Sequence, residues 1–399
     1  MTTIPYPEDD YPTLFRQHII RSAQAVLVRA RRESTPGLNE TGRTRIFAVL
    51  DYALRLADAW PTVRELLRVL SPQFNLGGYW IQWLPYLERG IAISSTQGDE
   101  EMKATLIAEL GLLHQRLNRL DSAETYLNQA TQLARQQGNP TLLGLVLQRQ
   151  AEIERLRRRY AECSALLDEA QTLFAAHDPA QAYGLFIRGK AALDQHDLAA
   201  ANSALVEALK FWQAENNQAR AALCIQNLGR IAAAQGELSA AIALYQQALD
   251  LLNATNNRSN IPVVQINLGN VYYAQHQYEQ ALSLYQEAKT SLLSMSDDRY
   301  LAMAYNNVGL VYTVWREWRE AEVNLQRSLA LHQEIGDKKA WVNTKGNLGI
   351  VYLEEARYKQ ATQTFQAALA ELQTTAQDPE YQRLWNELTQ YLTQVQSRC

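Results

Sequence analysis

Apolar residues recur along this chain at helical spacing, and the helical segments themselves recur. In the clearest stretch, Ile261 to Met295, the positions Ile266, Leu268, Gly269, Val271 and Tyr272 predict one helix, with Pro262 suited to its first turn. After a break at Gln275-His276-Gln277, Tyr278, Ala281, Leu282, Leu284, Tyr285 and Ala288 predict a second. The same two-helix pattern returns along a ruler of small residues: Gly111, Ala151, Gly189, Gly229, Gly269, Gly309 and Gly349, at spacings of 40, 38, 40, 40, 40 and 40. A fixed period of this size predicts an all-α solenoid of stacked helical hairpins rather than a globular enzyme.

Two further rows of small residues accompany the ruler. Ala123, Cys163, Ala201, Ala241, Ala281, Ala321 and Ala361 sit in the second helices, and seven residues later come Ala130, Ala170, Ala208, Ala248, Ala288, Ser328 and Ala368. Large side chains at the ruler or at the first of these rows would force paired helix axes beyond 8–10 Å. The second row would let each hairpin pack on the next. Large residues alternate with the rows, among them Tyr272, Tyr312 and Tyr352, and Tyr160, Tyr278, Trp318 and Tyr358.

Both ends depart from the period. The expected organisation is a helical N-terminal region with a degenerate repeat over 1–100, seven hairpins over 101–378 and a capping helix over 379–399. Helices are expected near 12–33, 43–59, 62–71 and 79–96, with the loop Glu33 to Gly37 between the first two. The last helix carries Trp385, Leu388, Leu392 and Val395 on one face, as a terminal cap requires.

Composition narrows the function classes. A net charge of −4 and a pI near 6.0 argue against a nucleic-acid binder, and the basic run Arg155 to Arg159 reads as a solvated helix face. Cys163, Cys224 and Cys399 form no CxxC pair, which suits a reducing compartment. With no leader-like N-terminus and no apolar run of membrane length, a cytoplasmic chain is expected. Gly184 to Lys190 fits seven positions of a phosphate-binding loop, but Ala191 replaces the Ser or Thr, and Gly189 belongs to the ruler. His18, His114, His177, His196, His276 and His332 show no ligand spacing, and no nucleophile elbow is present. No catalytic residue, metal or cofactor is expected.

The string Leu268-Gly269-Asn270-Val271-Tyr272, with Tyr278, Ala281, Tyr285 and Ala288 after it, resembles the tetratricopeptide repeat family over roughly residues 104–375. The standard unit of that family has 34 residues; the longer unit here resembles those of kinesin light chains, Leu-Gly-Asn spindle adaptors and bacterial peptide-sensing regulators. Leu54 to Gly98 also resembles the helical arm that joins the ATPase core to the repeats in STAND-type signalling ATPases. The resemblance implies a right-handed superhelix whose first helices line a concave groove.

In that frame, Asn227, Asn267, Asn307 and Asn347, each two residues before a ruler glycine, would point into the groove. Asparagine is not favoured inside a helix, and its amide offers donors and an acceptor to a peptide backbone. Such amides could equally bond across neighbouring helices or reflect repeat duplication. Arg149 takes the same position in the second unit. Lys190, Arg230 and Asn270 follow their ruler residues, Gln226 and Asn306 precede the asparagines, and Tyr273, Asn343 and Tyr183 lie at further inward positions. Units two to four therefore read as cationic and units four to seven as amide-rich, a pattern suited to an extended segment with a carboxylate at one end. The expected function is partner recognition without catalysis, the groove holding an extended or helical segment of another protein. The alternative is a sensor that switches a separate signalling ATPase, protease or transcription effector. On this reading Arg230→Ala and Asn267→Ala each weaken partner binding with little change in thermal stability; unchanged affinity in both overturns it.

Overall fold

The computed structural model describes residues 11–32, 39–175, 178–372 and 379–397; the loop Glu33 to Gly37, His177 and Cys399 fall outside them. Among the described residues there are nineteen α-helices and no strand. Contacts divide the chain into two compact units, Met1–Ile231 with Gln247–Asn260, and Ala232–Gln246 with Ile261–Cys399.

The first unit opens with α1 (Tyr11–Arg32), α2 (Glu40–Ala53), α3 (Trp60–Gly77) and α4 (Trp80–Gln97). Its hairpins are α5 (Glu100–Arg116) with α6 (Leu120–Gln136), α7 (Pro140–Leu156) with α8 (Tyr160–Thr172), and α9 (Gln181–Asp194) with α10 (Leu198–Ala214). The hairpin α11 (Gln218–Ala234) and α12 (Leu238–Ala254) contributes residues to both units. The second unit holds α13 (Ile261–Ala274) with α14 (Tyr278–Met295), α15 (Asp298–Val314) with α16 (Trp318–Glu334), and α17 (Lys338–Glu354) with α18 (Tyr358–Leu372). There α19 (Pro379–Gln396) covers the last hairpin: Leu388 and Val395 are buried, and Tyr391 stacks on Phe365 at 5.6 Å.

The N-terminal elements differ in extent from their sequence pattern. The second helix stops at Ala53, and a short 3-10 turn, Ala57–Ala59, leads into α3. That helix runs through Pro72 to Gly77 instead of ending at 71. Proline removes one backbone donor and normally breaks a helix. Here the carbonyl it would leave unpaired belongs to Arg68, on the exposed side, while Leu66, Leu67, Leu70 and Phe74 on the other face are wholly buried. Phase and direction are held by Phe74, whose ring lies flat on Trp83 at 4.3 Å.

The small rows do what their spacing requires. Every residue in both is almost completely buried, from Ala123 to Ala361 and from Ala130 to Ala368. At the ruler positions the helices approach closely. A methyl group on Gly309 would lie 2.7 Å from Leu325 and 3.4 Å from the carbonyl of Ala321; on Gly269 it would meet Tyr285 at 2.6 Å, and on Gly349 Phe365 at 2.5 Å. Within each unit, a first helix packs on its own second helix and on the first helix of the next hairpin (α5 on α7, α7 on α9, α13 on α15, α15 on α17). Among the described residues, second helices make no comparable contact with one another, so each row of hairpins curves towards its first helices.

Each hairpin turns through one residue with positive φ: Asn118, Arg158, His196, Gly236, His276, Arg316 and Ala356. Only one of the seven is glycine. The left-handed region costs an L-residue about 1–2 kcal/mol, partly recovered as glycine's extra unfolded-state entropy. Ala356, at φ 61°, is exposed and contributes no packing. Ala356→Gly should therefore stabilise the chain by about 0.5–1 kcal/mol, whereas Gly309→Val should cost about 1–3 kcal/mol through overpacking. Denaturant midpoints of the two variants check both signs.

Candidate functional site

The inward face of the first unit is a lattice of ion pairs between successive first helices. Arg149 on α7 reaches Glu109 on α5 at 2.6 Å. Lys190 on α9 pairs with Glu152 on α7, and Arg155 on α7 with Asp194 on α9. Arg230 on α11 lies 3.7 Å from Asp194 and donates to Asn227 Oδ1 at 3.0 Å. Asn227 is itself buried and donates to the Leu223 carbonyl one turn back in its own helix, and Gln226 before it is also buried.

Glu152 is the hub of this lattice. It accepts from Nε and Nη2 of Arg155, at 2.9 and 3.0 Å, and from the Lys190 ammonium. Burial by itself would raise its pKa, but the charges of Arg155 and Lys190 outweigh this and hold the carboxyl well below the ordinary range. Burial, then the charge of Arg155, pushes Lys190 down to about 8 against the pull of Glu152 and Asp194.

The inward face of the second unit is linked by amides instead. Asn270 on α13 accepts from the Tyr285 hydroxyl and from Asn307 Nδ2 on α15, both at 2.8 Å. Asn306 Nδ2 donates to Asn307 Oδ1 at 3.1 Å, and Asn347 Nδ2 on α17 donates to Asn306 Oδ1 at 2.9 Å. One hydrogen-bonded chain thus joins three first helices. Half-buried Asn267 and exposed Asn343 have amides with no partner among the described residues. Tyr273 packs edge-on against Tyr278 at 5.3 Å.

The loop-like string Gly184 to Lys190 lies inside α9, where helical N–H groups bond to preceding carbonyls and none is left to cradle a phosphate. Cys163 and Cys224 are buried, and burial raises the Cys163 thiol to about 11 and the Cys224 thiol further, so both stay protonated at neutral pH. No described helix is long and apolar enough to cross a membrane.

Models of the tetratricopeptide repeat match residues 104–137, 219–294 and 300–370. Over those residues the chain carries tetratricopeptide repeats. Its fold is similar to that of a STAND protein with a tetratricopeptide repeat sensor from Pyrococcus horikoshii, with a TM-score of 0.56 and 14% identity over 85% of this chain. The chain spans 49% of that protein. A Rap protein complexed with Competence and Sporulation Factor is similar at a TM-score of 0.56 and 15% identity, covering 74% of this chain and 87% of its own. The apo form of the quorum sensor NprR from B. thuringiensis is similar at a TM-score of 0.51 and 17% identity, covering 69% of this chain and 80% of its own. No curated protein matches.

Within the tetratricopeptide array, sequence reasoning found the cations and amides but not the carboxylates. The register itself points to them. Glu109 stands two residues before Gly111, where later repeats have asparagine, and Glu152 follows Ala151 as Lys190 follows Gly189. Counting from every ruler residue, not only the last four, would have placed these carboxylates beside Arg149 and Lys190.

Removing Glu152 leaves Arg155 and Lys190 facing each other. Loss of one partner from a buried ionic network typically costs about 3–5 kcal/mol, so Glu152→Gln should be strongly destabilised at neutral pH. The Glu152 pKa is lowered by folding, so its contribution is present above the ordinary glutamate range near 4.5 and is lost as pH falls below it. The stability gap between wild type and Glu152→Gln, measured by urea unfolding, should close as pH drops from 5 towards 3.

Proposed function

We propose that the inward face of the repeats is a non-catalytic recognition surface for an extended or helical segment of a partner protein. The observation that carries this reading is the free amide pair Asn267 and Asn343. Neighbouring inward amides on α13, α15 and α17 are bonded to one another, and these two, on the same helices, have no internal partner. A donor–acceptor side chain left free on a rigid, curved face is available to a main chain laid along it. The bonded amides around them supply rigidity, which lowers the entropy lost on binding. The Rap protein of similar fold, in complex with Competence and Sporulation Factor, supports a ligand-binding use of this architecture. A cytoplasmic setting agrees with the buried, unpaired thiols.

Peptide display against the full chain tests this. Selected ligands should bind about 3- to 10-fold more weakly to Asn267→Ala and to Asn343→Ala, the loss expected of one hydrogen bond. Thermal stability should be unaltered, because neither side chain has an internal partner. Ligands indifferent to both substitutions, or no ligands at all, overturn the proposal. The lattice modifies the expectation for Arg230: its replacement leaves Asn227 Oδ1 without its donor, so Arg230→Ala should lose stability as well as any binding.

A further inference from the structure

The second hairpin departs from the last three at one position in its first helix. Three residues after the ruler, those hairpins carry Tyr272, Tyr312 and Tyr352; the second carries Glu154. In the last hairpin the tyrosine is held on both sides. The Tyr352 hydroxyl donates to Glu322 on the preceding second helix at 2.6 Å, and Arg357 lies 4.3 Å over the ring and pairs with Glu322 at 2.8 Å. By register, Glu124 stands where Glu322 does and Arg159 where Arg357 does. The second hairpin therefore keeps the carboxylate and the guanidinium and lacks the ring between them.

In place of the ring is a cavity of about 390 Å³ between the second helices α6 and α8, floored by α7. Ile153 and Leu166 supply apolar surface, and Glu124, Glu154, Glu162 and Glu169 supply four carboxylates against one lining cation, Arg159. Two of the four are answered from outside the cavity: Glu124 by Arg157 at 2.7 Å and Glu169 by Arg135 at 2.8 Å. Glu162 pairs with no cation among the described residues. Glu154 is only 9% exposed, and its buried Oε2 accepts no hydrogen bond; Arg159 Nε lies 3.1 Å from it but outside hydrogen-bond geometry. A buried carboxylate oxygen without a donor is costly, and this one borders a cavity large enough to admit a donor.

We propose that this notch between α6 and α8 seats an arginine side chain of a partner protein. A guanidinium is planar, as the missing ring is, and its fork of donors suits Glu154 and Glu162 together. Its aliphatic stem has Ile153 and Leu166 to lie on. The charge is complementary, because the pairs from outside leave these two carboxylates to the incoming cation. The notch lies between second helices, so it is a surface separate from the inward face and goes beyond the recognition reading above.

The probe is a fluorescently labelled pentapeptide of alternating alanine and arginine, titrated with the full chain and followed by anisotropy. The control is the same peptide with citrulline, in which a neutral urea group replaces each guanidinium. The arginine peptide should bind at least about tenfold more tightly than the citrulline peptide, as expected for a charged hydrogen bond. Glu154→Tyr, which restores the ring of the later hairpins, should unfold no lower than wild type and lose the preference for arginine. Glu162→Gln, at an exposed side chain without a partner, should weaken the arginine peptide about threefold or more, and it keeps the test readable if Glu154→Tyr does not fold. Glu237→Gln removes the same charge from an exposed turn and should change nothing. Asn267→Ala should also leave this binding as it is. Equal binding of the two peptides, no binding, undiminished binding in both notch variants, or an equal loss in Glu237→Gln overturns the proposal. So does a loss in Asn267→Ala, which would assign the peptide to the inward face. Binding that follows the notch variants in a chain that selects no displayed ligand keeps the notch and sinks the inward face.

Discussion

At five of the ruler positions two helices approach so closely that a single methyl group would collide with the large side chain sixteen residues on. Leu127, Leu205, Tyr285, Leu325 and Phe365 fill the space left by Gly111, Gly189, Gly269, Gly309 and Gly349. Ala151 in the second hairpin shows that the approach can stretch to accept a methyl, with Leu167 still buried. This contact sets the width of a hairpin, and the alanine rows set the distance to the next. Within each unit the remaining architecture follows: helices this close stack as a row, and the row bends towards the side where first helices meet.

Bending has a consequence for polar groups. First helices brought side by side present their inward positions to each other, where a lone polar group would lose part of its hydration. The two units answer this with different chemistry. In the first, Glu109, Glu152 and Asp194 pair with Arg149, Lys190, Arg155 and Arg230. In the second, Asn347 donates to Asn306, Asn306 to Asn307 and Asn307 to Asn270. Amides cross-link these helices without net charge, whereas the links of the first unit are ionic. A second polar device lies in the same first unit. The loop after α12 returns to the turn between α3 and α4, where Ser259 N–H donates to the Leu76 carbonyl at 2.9 Å and Arg258 and Arg43 both reach the Tyr79 hydroxyl. Asn257, Ser259 and Asn260 are buried there.

The hairpins were legible because their determinants are local and repeated. Gly269 with Ala281 and Tyr285 lies within one hairpin, and six other copies average out the noise of any one. The N-terminal helices were less legible. Pro72 reads as a stop signal, and only the buried face of α3 against Trp83 lets the helix pass it. The inward asparagines were legible as a row and illegible as partners. Nothing in the spacing tells that Asn227 folds back on Leu223 while Asn307 reaches across to Asn270.

From the amino-acid sequence alone came the repeat, its helical hairpins, the small residues at their contacts and the register that marks the inward face. These depend on periodicity, which the sequence carries directly. Only the tertiary structure decided which inward groups satisfy each other and which are left over. Whether an amide or a guanidinium is free depends on distances between helices some forty residues apart, and so on the curvature of the row. Glu109 beside Arg149, and Asn267 with no partner for its amide, are facts of that curvature.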